Sequence, residues 1–80
     1  MKIITTSLQF GNQIKRLRKA YRMTQLELAA AAGTGVRFIQ DLERGKKTCE
    51  LNKALTVATL LGIRFEAHTP RLDLLHVKEK

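Results

Sequence analysis

The chain has 80 residues, yet it contains one cysteine, one proline and only 7 acidic residues against 15 basic ones. The single thiol, Cys49, can form neither an intrachain disulfide nor a cysteine-rich zinc site. His68 and His76 lack a Cys-x-x-Cys partner, so neither a structural metal nor a cofactor is expected. No apolar run reaches the roughly 18 residues that a membrane-spanning helix needs, and no membrane partner is expected. The apolar part of the opening MKIITTSLQFG is too short for a secretory signal. A reducing, cytoplasmic setting is therefore expected. A chain this short buries roughly 60% of its unfolded surface, which leaves it marginal alone and makes oligomerisation a natural remedy. It also rarely builds a catalytic cleft, so an enzyme is not expected.

What is present is positive charge. The formal net charge is +8 and the sequence pI is about 10.3. Such a surplus in a small globular domain suits a polyanion, most often nucleic acid, the alternative being a merely soluble basic surface. The charge is clustered. Met1 to Thr24 holds Lys2, Lys15, Arg16, Arg18, Lys19 and Arg22 with no acid, and a second group follows at Arg37, Arg44, Lys46 and Lys47.

Thr6-x-x-Gln9 reads as a capping box opening a helix that runs to about Tyr21. Phe10, Ile14, Leu17 and Tyr21 form its buried face; Lys15, Arg16, Lys19 and Arg22 take the other. Thr24 caps a second helix over Gln25–Ala32, which Gly33 stops. Val36–Glu43 reads as a third helix with Ile39 and Leu42 inward and Phe38 pointing away from them, to contact the DNA backbone or to pack under the Lys46–Thr48 loop. A fourth is expected over about Leu51–Leu61, with Leu51, Leu55, Ala58 and Leu61 on one stripe. Ile63–Thr69 alternates and ends at Pro70, which argues for a strand. A lone strand has no partner in a helical domain. This one pairs with a second copy, pairs with Lys2–Thr5, or is not a strand. The tail Arg71–Lys80 is left unassigned.

The informative stretch is TQLELAAAAGTGVRFIQDLERG, Thr24 to Gly45. Ala29 is small enough to let two helices cross, and Gly33 allows a left-handed turn between them. Ile39 and Leu42 anchor the second helix so that its N-terminal half stands proud, at a size that fits a DNA major groove. These residues, with Thr24-Gln25, Leu28-Ala29 and Leu42-Glu43-Arg44-Gly45, resemble the helix-turn-helix of the Cro/phage-repressor (Xre) family over roughly Leu8 to Ile63. The layout is also similar to the HipB-type antitoxins, small regulators encoded beside a kinase-like toxin. In that group a strand after the fourth helix pairs between two subunits, and Ile63–Thr69 occupies its place. The chain departs from the family pattern at Arg22, where the first helix usually ends in glycine. It departs also at Gly35, a weaker cap than the usual polar residue, and at Leu26, where a charged residue is usual.

Candidate base contacts lie on the third helix. Arg37 suits guanine O6 and N7, a phosphate contact or a solvated side chain being the alternatives. Val36 suits a thymine methyl or a packing role, and Gln40 lies a turn further on. The resemblance places Asp41 where family members often read a base; it can instead orient Arg37 four residues earlier. Backbone contacts are expected from Thr34 in the turn and from Lys46 and Lys47 beyond the third helix. Gln25, by resemblance, bonds a phosphate at the start of the second helix, where the helix dipole helps. The resemblance also implies a structural ion pair between Arg18 and Glu43. Ile63, Phe65 and Ala67 are the candidate dimerisation residues. Cys49 and His68 read as inert and surface residues respectively.

The sequence thus divides into an N-terminal arm (1–6), a helix-turn-helix domain (7–62) and a C-terminal strand and tail (63–80) for dimerisation or partner contact. The expected fold is all-α, lambda-repressor-like, with four to five helices and that strand. The expected function is sequence-specific repression: a homodimer on a palindromic operator in double-stranded DNA, nucleoid-associated when bound. The resemblance implies the antitoxin of an autoregulated toxin–antitoxin operon with a kinase-like toxin as partner. A stand-alone or phage-type regulator is the nearest alternative. A small basic RNA-binding protein and an adaptor that has lost DNA binding belong to other classes.

Overall fold

The computed structural model describes residues 3–70. Four helices follow one another: α1 (Ser7–Ala20), α2 (Gln25–Ala32), α3 (Val36–Glu43) and α4 (Leu51–Leu60). Two of the starts are chemically alike. At α1 the Thr6 hydroxyl accepts from the Gln9 amide while the Gln9 side chain accepts from the Thr6 amide, and Thr24 and Glu27 do the same at α2. Each box satisfies two of the donors that a helix start leaves orphaned.

The four ends are also alike. In each, one residue at positive φ turns the chain out of the helix, and the next amide donates back to a carbonyl five residues earlier. These amides are Met23 to Arg18, Thr34 to Ala29, Lys46 to Asp41 and Ile63 to Ala58, at 2.9–3.0 Å. The turning residue is Gly33, Gly45 or Gly62 in three cases and Arg22 (φ 58°) in the fourth. This is the Schellman stop, which glycine makes without a Cβ penalty. Gly45 has a second reason to be glycine, because a Cβ there would lie 2.7 Å from the Leu8 Cα.

The core gathers Ile14 of α1, Leu28 and Ala29 of α2, Ile39 and Leu42 of α3, and Ala54, Val57, Ala58 and Leu61 around α4. α3 packs on both α1 and α2, and α2 also packs on α4. Gly11 lets α1 and α3 cross closely. A methyl there would lie 2.9 Å from the Glu43 carbonyl oxygen and closer still to that of Leu42. Phe10 and Leu17 flank Ile14 as expected, but Tyr21 is largely exposed and only its hydroxyl is engaged, donating to the Leu61 carbonyl at 3.3 Å. The fourth-helix stripe needs correction. Leu51 is 70% exposed, and the face that meets the core begins at Ala54 and continues through Val57, Ala58 and Leu61. Of the two places open to Phe38 it takes a packed one, but against the core that holds Ile39 and Leu42 and not away from them, with Lys53 over its ring.

The expected strand is not there in the single chain. Residues 63–70 carry no regular secondary structure, and residues 3–5 do not pair with them. A strand is defined by a ladder, and alternation alone supplies none. Instead Ile63 packs against the core, and the Phe65 ring lies 5.9 Å from that of Phe10. The tail Arg71–Lys80 lies outside the described residues. Among the described residues no helix is long and apolar enough to cross a membrane.

Candidate nucleic-acid interface

α2, the three-residue turn Gly33–Gly35 and α3 form one rigid corner, because Leu28, Ala29, Ile39 and Leu42 are all buried between them. With that side fixed to the core, the opposite side of α3 must face out. Val36, Arg37 and Gln40 are exposed there. Gln25 is half-buried at the first position of α2, where the opening amides have no carbonyl partner inside the helix. Thr34, in the turn, is half-buried and its amide closes the α2 stop.

A shallow cleft of about 400 Å³ runs between α1, the start of α2 and α3, lined by Lys15, Gln25, Arg37, Gln40, Glu43 and Arg44. It brings together three of the expected contact residues, Gln25, Arg37 and Gln40. It adds two cations, Lys15 and Arg44, that spacing alone did not single out. Lys46 and Lys47 are also exposed, but they border a different groove beside Phe10 and Leu51. The expected contacts therefore fall on two adjoining surfaces.

Glu43, which lines the cleft, is one half of a buried ion pair. Arg18 Nε donates to Glu43 Oε2 at 2.6 Å, and Arg18 Nη2 donates to Oε1 at 3.0 Å, with both side chains buried. Hydrogen bonding to Glu43 raises the Arg18 pKa still further, against the opposing effect of burial. Gln25 Nε2 donates to the same Oε1 at 3.1 Å, and Arg18 Nη1 donates to the Met23 carbonyl at 2.8 Å. Glu43 is thus neutralised, and Gln25 is held in place at the rim of the cleft.

Asp41 is placed unlike the other residues of α3's outer side. It is buried, and its carboxylate accepts from Arg44 Nη2, from Arg37 Nε at 3.3 Å and from Lys46 Nζ at 3.5 Å. The Arg44 hydrogen bond, then those of Arg37 and the charge of Lys46, hold the carboxyl below the usual carboxylate range despite desolvation. Burial, reinforced by the Asp41 charge, pushes the Cys49 thiol up, so it is protonated at neutral pH. Among the described residues no cluster of His, Cys, Asp and Glu could hold a metal ion.

These features define a lambda-repressor-like helix-turn-helix domain. A helix-turn-helix family model matches residues 14–67, and the chain belongs to that family as a transcriptional regulator of the Xre type. It is 41% identical over 69 residues to the uncharacterised HTH-type transcriptional regulator y4mF of Sinorhizobium fredii, covering 86% of this chain and 91% of that one. It is 35% identical over 57 residues to the immunity repressor of Bacillus phage phi105, covering 71% of this chain but only 40% of the repressor. Two solved structures share its fold at 21% identity, each covering 89% of this chain and all of the other. They are a HipB complex with a 20-mer O4 (TM-score 0.76) and a HipA–HipB complex with O2-O3 (TM-score 0.77).

Proposed function

We propose that this chain is a sequence-specific DNA-binding repressor that acts as a homodimer on a palindromic operator in its own promoter. The observation that carries the reading is the outward side of α3, where Val36, Arg37 and Gln40 stand beside a cleft lined by Lys15, Gln25 and Arg44. Exposed side chains on a helix held proud of its core are what reads base edges, and flanking cations fix the register on phosphates. In this reading Arg37, Val36 and Gln40 meet bases, and Gln25, Thr34, Lys46 and Lys47 meet the backbone. The fold similarity to HipB in its DNA and HipA complexes supports the finer role of antitoxin to a kinase-like toxin that the operon encodes beside it. The identity to a phage immunity repressor supports a stand-alone regulator as the second reading.

The test is a titration of labelled upstream DNA and of random duplex at several salt concentrations. If the dimer contacts six to ten phosphates, affinity should fall by roughly 10³–10⁵ between about 50 and 200 mM salt. A flat salt response, or equal affinity for both duplexes, defeats the reading. Co-expression with the neighbouring reading frame separates the two finer roles, since the antitoxin must co-purify with the product of that frame.

A further inference from the structure

We propose that Asp41 is a positioning residue for sequence readout. It grips Arg37 by Nε and so presents only the two terminal guanidinium nitrogens to a base edge. The inference rests on the operator-binding reading above.

Arg37 is a long side chain with 78% of its side-chain surface exposed, so in isolation it would sample many rotamers. Asp41 stands one helical turn further along the same face, with its side chain only 11% exposed. At that burial it is an anchor, not a probe that reaches into a groove. Its carboxylate also does not depend on Arg37 for its place. Arg44 holds the oxygen that Arg37 shares, and Lys46 holds the other. Arg37 therefore docks its Nε on a site that is already fixed and already ionised.

Two consequences follow. With Nε occupied, the remaining pair of parallel donors is Nη1 and Nη2, which suits O6 and N7 of guanine and no other base edge as well. The entropy of ordering the guanidinium is met before DNA arrives, which favours the matched sequence. The Asp41 charge meanwhile offsets one of the three cations it gathers, which weakens attraction to any phosphate backbone. Gain on the right site and loss on all others both raise discrimination.

The experiment uses the full chain and needs no known operator. Duplexes selected by the wild type from a randomised pool give a preferred sequence, and affinities for it and for a scrambled duplex are then measured. The four proteins are wild type, Asp41→Asn, Arg37→Ala and the double variant. Asp41→Asn should bind scrambled DNA more tightly, yet lose roughly five- to 150-fold of its preference for the selected sequence. In the double variant the preference should fall no further than in Arg37→Ala. In the free wild-type chain the Arg37 Nε–H should exchange with water more slowly than that of an unpaired surface arginine, a readout that does not require the variant to fold. A preference unchanged in Asp41→Asn, additive losses, or a fast-exchanging Nε–H overturns this inference alone. A wild-type chain that selects no sequence overturns the operator reading and this inference with it.

Discussion

Arg18 and Glu43 meet through two parallel hydrogen bonds, at 2.6 and 3.0 Å, inside the contact between α1 and α3. The pair lies within the protein, and its remaining valences are filled by the Met23 carbonyl and by Gln25. Among the described residues no buried side-chain nitrogen or oxygen lacks a partner. A basic side chain in a strongly basic domain is thus withdrawn from the surface to tie the first helix to the third.

Breaking that pair should be costly. Arg18→Ala leaves Glu43 buried and unpaired, and Glu43→Ala does the same to Arg18. Each should cost about 3–5 kcal/mol, a large part of a small domain's stability. Replacing both by apolar residues of similar bulk, Arg18→Met with Glu43→Leu, should cost far less than the two single losses together. Urea unfolding of the four proteins checks this, and additive losses would show that the geometry contributes little beyond each residue alone.

Gly11 and Arg22 should respond in opposite directions. In an open helix Gly→Ala gains about 1 kcal/mol. At Gly11, however, the new methyl meets two backbone carbonyls that cannot rotate away, so Gly11→Ala should be destabilising by about 1–3 kcal/mol or more. Arg22 holds a left-handed conformation that costs a non-glycine residue about 1 kcal/mol or slightly more. Arg22→Gly should recover much of that and raise the melting temperature by roughly 4–8 °C per kcal/mol. Calorimetry of both variants decides, and a shift of the same sign in both would contradict the account.

The boundaries of α2 and α3 were legible because their signals are local. Thr24 with Glu27 opens α2, Gly33 closes it, and Gly45 closes α3. The burial of Asp41 was not legible, since its place in the sequence suggests a base contact or a partner for Arg37, and neither reading contains Arg44 and Lys46, which also bond its carboxylate. Gly11 gave no sign either, because its need arises from carbonyls thirty residues away. In α4, Leu51 and Ala54 lie one turn apart along the same face, so periodicity alone does not tell where the core contact begins, and Leu51 falls beyond it while Ala54 is buried. Of the expected contact residues, Gln25, Arg37 and Gln40 proved to share a cleft because α2 and α3 are fixed at one corner. Lys46 and Lys47 lie past the α3 stop and border another groove.

Acid should act on the domain through Asp41 in a predictable direction. Its folded pKa lies below the unfolded value of about 3.9, chiefly because of Arg44. A depressed carboxylate contributes stability that is fully present above the unfolded value and is lost as pH falls through the folded one. Asp41→Asn should therefore be less stable than wild type at pH 7, and the gap should close as the pH is lowered below about 4. Unfolding curves across that range test this; a gap that stays constant would mean the carboxylate is equally placed in the folded and unfolded chains.

The segment after α4 offers the sharpest test of assembly. Ile63 and Phe65 each make contacts within the protomer, to the core and to Phe10, yet Phe65 remains 52% exposed and Ala67 is exposed as well. An apolar row covered on one side, on a backbone with no ladder of its own, suits pairing with its own image across a twofold axis. That axis would also set two α3 helices toward successive turns of the major groove, with half-sites about 34–36 Å apart. Removing residues 63–80 should give a monomer that keeps its four helices, melts lower for want of Ile63 and Phe65, and binds a palindromic duplex far more weakly. Because that deletion mixes packing with pairing, Ala67→Pro is the cleaner variant: it removes one backbone donor and no core contact. Sedimentation should show it shifted toward monomer with helicity unchanged. Should both variants remain dimeric, the interface lies elsewhere. The exposed Leu51 and Leu60 of α4 would then become the residues to mutate, and the row at 63–67 would be left to face a different partner.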